Sequence, residues 1–324
     1  MKILNTLLFI PVFCFTQSYN SPESIEVNPS SNSYFISNSN NGQILELDNN
    51  GNLSVFINGL NTGPHGLELV AEYIGEKWTN QILYACSGGK IYGFDMDGNE
   101  ILQYNLNGSF LNGITHKTTN QNTSSPEIDL FITDFSDKKL YRYNVLENTH
   151  YEICSFSKNP NGVYYDNIND RLIVVFWGWN APICEIDLNN NTYNTIINTG
   201  LANLDGIAMD QCGNFYVSAW SSNAIHQYNT DFTETEVIIN NLDNPADIYY
   251  NQYSNTLAIP NSGNNTINFV EYSCQNNSTI ETTIKPIKIL KTLDFLGRNI
   301  NNKSRGYQIE IYNNGNTEKK YIID

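Results

Sequence analysis

Short apolar segments alternate with polar turns along most of this chain. In residues 203 to 220, "NLDGIAMDQCGNFYVSAW", a small turn leads to a few strand-type residues, and an Asn/Asp/Gly turn then leads to a second strand. Such segments are rich in Tyr, Ile, Val and Phe, and Asn-Gly, Asp-Gly or Asn-Asn pairs separate them, which is typical of β-hairpins. No segment has a convincing helical period. The pattern predicts an all-β protein.

The same pattern returns six times. The copies begin "SPESIEV", "GPHGLEL", "FLNGITHK", "NPNGVYYD", "NLDGIAM" and "NPADIYY". Their starts lie about 40 to 50 residues apart, which is the spacing of four-stranded propeller blades. In the fifth copy the predicted strands are Gly206 to Met209, Asn214 to Ala219, Ala224 to Tyr228 and Glu236 to Asn240. The sequence therefore predicts a six-bladed β-propeller over residues 18–276. A β-sandwich is the alternative, but it gives no reason for the regular period.

The sixth copy shows three strands, so its outer strand is expected from residues 278–284 or from residues just after the N-terminal segment. That segment, "MKILNTLLFIPVFCFTQ" (1–17), places one Lys before an apolar run too short to span a bilayer, the pattern of a secretory signal peptide. No later segment is long and apolar enough to cross a membrane. We expect an exported protein that does not span the membrane.

After residue 276 the sequence changes character. A linker or last outer strand is predicted at 277–285, followed by a small β module at 286–324 containing "LDFLGR" and "IEIYNNGNTEKKYI". The module resembles the C-terminal sorting domain of the type IX secretion system of Bacteroidetes. The matching positions are Asp294, Gly297-Arg298, Ile309 to Tyr312, Gly315 and the final Lys-Tyr-Ile. This resemblance implies the type IX secretion machinery as a partner and a secreted or cell-surface location.

Composition excludes one class of partner. The 324 residues include 33 Asp and Glu against 17 Lys and Arg, a formal net charge of -16. Nucleic acid is excluded because phosphate binding needs clustered basic residues. The cysteines match no zinc motif, and the five that follow the signal peptide leave at least one unpaired. Their spacing does not assign a disulfide.

Equivalent residues at the blade starts are expected to encircle one end of the propeller channel. This ring consists of Glu23, His65, Asn112, Asn161, Asp205 and Ala246. Four of them offer carboxylate or amide oxygens, which suit a hard divalent cation, with Ca²⁺ favoured and Mg²⁺ or Mn²⁺ as alternatives. Local turn chemistry is the other explanation, because Asn and Asp often precede Gly in turns.

The order Glu, Asn, Asn, Asp-Gly-Ile resembles the senescence marker protein/gluconolactonase family of six-bladed propellers. The resemblance implies that Glu23, Asn112, Asn161 and Asp205 bind a divalent metal and that Asp205 also acts in lactone hydrolysis. Sugar-lactone members carry an Arg at the position of Phe110. We therefore expect a more apolar lactone or ester as the substrate, bound with the help of Phe110, Trp177, Trp179 and Trp220.

Several of these residues have a purely structural alternative. The tryptophans end second strands, where aromatic rings also pack between blades. His65 and His116 are candidate channel-lining acids or bases, or hydrogen-bonded structural histidines. Two functions follow from the sequence. The first is a metal-dependent hydrolase of lactones or esters. The second is a non-catalytic propeller, similar to NHL-type repeat propellers, that binds a glycan, peptide or protein on its loop face.

Overall fold

The computed structural model of the protein describes residues 17–74, 76–119, 126–273, 289–294, 298–300, 306–312 and 317–322. The described residues form β-strands and no helices. The predicted six-bladed β-propeller is confirmed. In the fifth blade the predicted strands agree with the structure to within two residues.

Each of the first five blades is an antiparallel sheet of four consecutive strands. Blade 1 contains β1 (Pro22–Asn28), β2 (Ser33–Asn38), β3 (Gln43–Leu47) and β4 (Leu53–Ile57). Blade 2 contains β5 (Leu67–Ile74), β6 (Lys77–Ser87), β7 (Lys90–Phe94) and β8 (Glu100–Asn105). Blade 3 contains β9 (Leu111–Thr119), β10 (Glu127–Asp134), β11 (Lys139–Asn144) and β12 (Thr149–Ser155).

The second half repeats this order. Blade 4 contains β13 (Asn159–Asp166), β14 (Arg171–Trp177), β15 (Pro182–Asp187) and β16 (Thr192–Asn198). Blade 5 contains β17 (Leu204–Met209), β18 (Phe215–Ala219), β19 (Ala224–Tyr228) and β20 (Thr235–Ile239). Blade 6 has three strands among the described residues: β21 (Tyr249–Asn251), β22 (Thr256–Asn261) and β23 (Thr266–Glu271).

Burial decreases from the first to the fourth strand of a blade. In blade 5, β17 and β18 are buried along their whole length, whereas every residue of β20 is partly or fully exposed. Apolar side chains from neighbouring blades fill the space between the sheets, as when Ile173 and Val175 of blade 4 pack against Ile207 and Phe215 of blade 5. The first strands therefore form the buried inner wall of the propeller.

The asparagine content has a local structural cause. Most non-glycine residues with positive φ in the described structure are asparagines, for example Asn32, Asn191 and Asn255. Asn tolerates this left-handed conformation better than most residues because its short amide bonds to nearby backbone groups. The frequent Asn turns thus set the hairpins of the blades.

The ring of blades closes between blades 6 and 1. The Asp247 N–H donates to the Glu23 carbonyl at 2.8 Å, and the Ser21 N–H donates to Asn265 Oδ1 at 2.6 Å. Residues 17–21 form no strand, so they do not supply the outer strand expected for blade 6. The other source considered for that strand, 278–284, lies outside the described residues, as do residues 1–16 of the predicted signal peptide.

The C-terminal strands form a sheet of their own. Strands β24 (Ile289–Asp294), β25 (Gly306–Tyr312) and β26 (Thr317–Ile322) pair antiparallel in chain order. Two predicted motif residues meet here, because Arg298 Nε donates to Asp294 Oδ2 at 2.7 Å. Gly297 and Gly315 lie outside the described residues. A small β module at the C-terminus is compatible with this arrangement.

Two further features concern the described cysteines and the question of a membrane-spanning helix. Cys86, Cys154 and Cys184 have free thiols, and Cys212 is disulfide-bonded. Within the described part of the chain, no helix has the length and apolar character needed to cross a bilayer.

Candidate functional site

Four of the predicted ring residues lie inside first strands rather than in turns. Glu23 is in β1, Asn112 in β9, Asn161 in β13 and Asp205 in β17. Asp48 is an example of an aspartate that stabilises a turn, because its Oδ1 accepts the backbone N–H groups of Asn50 and Asn52. Local turn chemistry therefore does not account for the four oxygen-bearing ring residues.

These residues sit at β-bulges. The pairing of first and second strands shifts register between Pro22 and Ile25, between Pro160 and Val163, and between Leu204 and Ile207. Each shift spans a ring residue, and bulges commonly redirect a side chain next to a functional site. We call this end of the channel, where the first strands begin, the mouth.

In blades 2 to 5 a glycine follows the ring residue and allows the first strands to approach each other closely. A Cβ atom on Gly162 would lie 2.5 Å from the Asp205 carbonyl oxygen, and one on Gly206 would lie 2.5 Å from Asp247 Cα. Gly66 and Gly113 are packed against their next blades in the same way. The Asp-Gly pair at residues 205–206 thus combines a channel-facing carboxylate with backbone contact between blades.

Asp205 and Asn161 form the centre of the mouth. Both are 2% exposed. Asn161 Nδ2 donates to the Leu204 carbonyl at 3.2 Å, while Asn161 Oδ1 is buried and has no hydrogen-bond partner among the described residues. Burial, and then the charges of Glu23 and Asp247, raise the pKa of Asp205, whereas the nearby Trp220 indole and Asn161 amide lower it. Trp220 Nε1 itself makes no hydrogen bond of good geometry.

Two more carboxylates belong to the same cluster. Ser262 Oγ donates to Glu23 Oε2 at 3.2 Å. Burial raises the pKa of Glu23 to about 7, with a further increase from Asp247 and an opposing effect from Ser262. Burial also raises the pKa of Asp247 to about 7, opposed by the Ser24 hydrogen bond. The mouth therefore gathers three buried carboxyl groups whose charged forms are disfavoured by burial.

The donor set at the mouth fits a cation. Burial and neighbouring carboxylates raise the pKa values of Glu23, Asp205 and Asp247, and neutral hydrogen-bond donors lower them. No described lysine or arginine contributes to these shifts. Asn161 Oδ1 is an additional acceptor without a partner. No three His, Cys, Asp or Glu side chains among the described residues are arranged to hold a metal ion. A cation here would therefore depend on the amide oxygens of Asn161 and Asn112 as well.

Aromatic rings line one side of the mouth. Phe110 packs edge-on against His65, with ring centroids 4.4 Å apart, and the contacts continue through Phe135 and Trp177 to Trp220. We call Phe110, Phe135, Trp177 and Trp220 the aromatic arc. Asp134 holds the backbone of Phe110 in place, because Asp134 Oδ1 accepts the Phe110 N–H at 3.2 Å. The arc gives the mouth an apolar wall that begins at Asp205 and ends at His65.

His65 is the neutral polar group at the far end of this arc. Burial lowers the pKa of His65 to about 4, so its imidazole is uncharged at neutral pH. His65 Nδ1 is buried and has no hydrogen-bond partner among the described residues. The mouth therefore presents three buried polar atoms without a hydrogen-bond partner in the described part of the chain, on Asn161, Trp220 and His65.

Two residues predicted for substrate binding lie elsewhere. His116 Nδ1 contacts Glu68 Oε1 and lines a cavity deeper in the channel. Trp179 is 80% exposed, and its backbone carbonyl accepts a hydrogen bond from Lys158 at 2.7 Å. Neither side chain is part of the arc or of the ring.

Sequence reasoning missed Asp247 and Phe135. Asp247 occupies the position that glycine fills in blades 2 to 5. The ring was aligned on the residue before that glycine, and in blade 6 this residue is Ala246. Phe135 comes directly after the second strand of its blade, as Trp220 does in blade 5. The Phe135 N–H donates to the Phe110 carbonyl, and the Trp220 N–H donates in the same way to the Asn203 carbonyl. Aligning the second strands of the repeat would therefore have identified Phe135 as the equivalent of Trp220.

Comparison with known proteins supports the fold. No family model matches the chain, and no curated protein matches it. Similar solved structures include a gluconolactonase from Xanthomonas campestris (TM-score 0.60, 13% identity, 75% of this chain and 83% of that one). A virginiamycin B lyase from Staphylococcus aureus is similar over 93% of this chain and 95% of its own (TM-score 0.58, 15% identity). A chain of a nidogen/laminin complex is similar over 73% and 88% (TM-score 0.60, 13% identity). The protein is a six-bladed β-propeller with structural neighbours of gluconolactonase and lyase type.

Proposed function

We propose that the protein hydrolyses an apolar lactone or ester at the mouth. The observation that carries this proposal is the buried Oδ1 atom of Asn161, which has no protein partner and lies beside the Asp205 carboxylate. A buried acceptor without a partner costs free energy unless a ligand satisfies it. The position, next to carboxylates that no described basic residue neutralises, favours a cation as that ligand.

The cation would be held by Glu23, Asn112, Asn161 and Asp205, with Ca²⁺ favoured because all four ligands are hard oxygen donors. When bound, it supplies Lewis-acid polarisation of an ester carbonyl and a coordinated water of lowered pKa. Asp205 accepts the proton that the attacking water loses. Asn161 and Trp220 flank the Asp205 carboxylate and favour its charged form.

The aromatic arc selects the substrate. Phe110, Trp177 and Trp220 offer apolar ring surface where a hydroxylated sugar would need polar partners. His65 and Trp220, at the two ends of the arc, each have a buried N atom without a partner and so add polar contacts for the ester or lactone oxygens. An aryl ester or aromatic lactone combines both features.

The site of action is outside the cell. Residues 1–17 have the pattern of a signal peptide, and the C-terminal module resembles a type IX sorting domain, with Asp294 and Arg298 paired. Type IX export machinery is accordingly the proposed partner of the tail.

A binding role without catalysis is the second candidate. It is supported by the aromatic arc and by the buried polar atoms of the mouth without a described partner, which suit a bound ligand as well as a reacting substrate. In that case the aromatic arc would hold a glycan, peptide or protein, and the mouth carboxylates would contact it directly. A neighbouring structure is that of a nidogen/laminin complex, a protein–protein assembly.

Hydrolysis separates the two candidates. The purified full chain is incubated with phenyl acetate and with dihydrocoumarin, with and without Ca²⁺. Asp205→Asn is expected to lower the rate by about 100-fold or more, because the proton acceptor is lost. Asp97→Asn, at an exposed hairpin position, is the matched control and keeps the rate. An Asp205→Asn variant as active as wild type, or no hydrolysis of any ester or lactone, contradicts the proposal.

A further inference from the structure

A cavity lies inside the channel beyond the mouth, and Asp247 of the mouth is among its lining residues. It has a volume of about 180 Å³, and all six blades contribute to its lining. Each first strand contributes one residue at an equivalent position: Glu26, Glu68, His116, Tyr164, Ala208 and Tyr249. They follow the ring positions by three or four residues, which corresponds to roughly 10 Å along a strand. None of the four predicted metal ligands lines this cavity.

The cavity is strongly acidic. Glu26, Glu68 and Asp247 all line it, and among its lining residues only His116 can offset their charge, through its contact with Glu68. Glu26 is 8% exposed. Burial, and then the charges of Glu68 and Asp247, raise the pKa of Glu26 well above its usual range. Three carboxylates thus face one imidazole.

The cavity is open to solvent. The His116 side chain is 28% exposed and that of Glu68 is 15% exposed, so a small solute can reach both. No three His, Cys, Asp or Glu side chains in the described structure are arranged to hold a metal ion. The space suits a larger cation.

An aromatic platform lies at the same end of the channel. The hairpin of β5 and β6 extends past the rest of blade 2, and Gln81 in it donates to Asn28 Oδ1 of blade 1 at 2.8 Å. Its tip rings, Tyr73 and Trp78, pack 5.0 Å apart, and Trp78 meets Tyr253 of blade 6 at 6.1 Å. Tyr253 directly follows Gln252, a lining residue of the cavity. Tyr73 and Tyr253 are 62% and 71% exposed.

We propose that this cavity binds a small organic ammonium ion. A primary ammonium group donates up to three charge-assisted hydrogen bonds, which Glu26 and Glu68 can accept. The faces of Tyr and Trp rings attract cations, so the platform favours the same ligand. A neutral sugar could stack on the platform but would leave the carboxylate charges uncompensated. The inference does not depend on the proposed hydrolase.

Calorimetric titration of the full chain with 1,4-diaminobutane at pH 8 and low salt tests the proposal. Glu26→Gln and Glu68→Gln are each expected to weaken binding about tenfold or more, because each removes a charged hydrogen-bond acceptor. Tyr253→Ala weakens it a few-fold through the lost ring face. Glu100→Gln, at an exposed position of β8, leaves binding unchanged.

Folding is checked separately by near-ultraviolet circular dichroism. Tyr253 is 71% exposed, so Tyr253→Ala keeps the test informative even where a cavity variant unfolds. Absence of binding to wild type contradicts the proposal. So does equal binding by folded Glu26→Gln and Glu68→Gln, or binding of neutral maltose in place of the diamine.

Discussion

Ser24 Oγ donates a 2.8 Å hydrogen bond to Asp247 Oδ2, and this bond joins the first blade to the last. The same hydroxyl accepts the Leu67 N–H at 3.1 Å, so one serine links blades 6, 1 and 2. Blades 2 to 5 have glycine at the equivalent position, where backbones touch. Ser24 and Asp247 replace that contact with a side-chain bond where the ring of blades closes.

Removing this hydroxyl should weaken the closure. Ser24→Ala leaves the Asp247 carboxylate and the Leu67 N–H without their partner, and the free energy of unfolding is expected to fall by about 1–3 kcal/mol. Urea unfolding followed by circular dichroism measures the change. Ser54→Ala, an exposed serine in β4, is the control and should change it by less than about 0.5 kcal/mol. Equal effects of the two substitutions would argue against a role for Ser24 in closure.

Asp247 should make stability depend on pH. Burial raises its pKa from 3.8 to about 7, so between these values the folded state holds a proton that the unfolded chain releases. The folded state therefore loses stability as pH rises from about 4 to 7. Asp247→Asn removes this loss, and its melting temperature should exceed that of wild type by about 5 °C at pH 8 and differ little at pH 4.

Thermal melts at half-unit pH intervals measure this difference, with Asp97→Asn as the exposed control. A gap between Asp247→Asn and wild type that is the same at pH 4 and pH 8 would mean that the Asp247 carboxyl is not protonated in the folded protein.

Two tryptophans two residues apart offer a matched test of the aromatic arc. Trp177 contacts Phe135 and Trp220, whereas Trp179 is 80% exposed. Trp177→Ala is expected to raise KM for phenyl acetate about tenfold through lost apolar contact, with a smaller effect on kcat. Trp179→Ala should change KM less than about twofold. Steady-state kinetics decide, and a larger KM effect at Trp179 would place the substrate outside the arc.

Much of the fold followed from local patterns. The hairpin signals in "NLDGIAMDQCGNFYVSAW" located β17 and β18 because alternating apolar residues and Asn/Gly turns act over a few neighbours. The fixed repeat then defined the blades. The outer strand of blade 6 did not follow, since its choice depends on which distant segment reaches the sheet.

The site was predictable only where it repeats. Glu23, Asn112, Asn161 and Asp205 occupy one position of the repeat, so alignment found them together. Asp247 was not predicted because the carboxylate of the last blade lies one residue after the ring position, which Ala246 occupies. The pairing of His116 with Glu68 was also missed, because His116 contacts a neighbouring blade and no periodicity within one blade specifies that contact.

Calcium binding at the mouth is the most direct test of the central claim. The full chain is purified without chelator, its metal content is measured, and its melting is followed with and without added Ca²⁺, for wild type and for Glu23→Gln/Asp205→Asn. We predict about one metal ion per wild-type chain and a rise of about 5–10 °C with saturating Ca²⁺, both absent from the double variant. A wild-type protein with no metal and no shift, or an equal shift in the double variant, would contradict a cation site built from these residues.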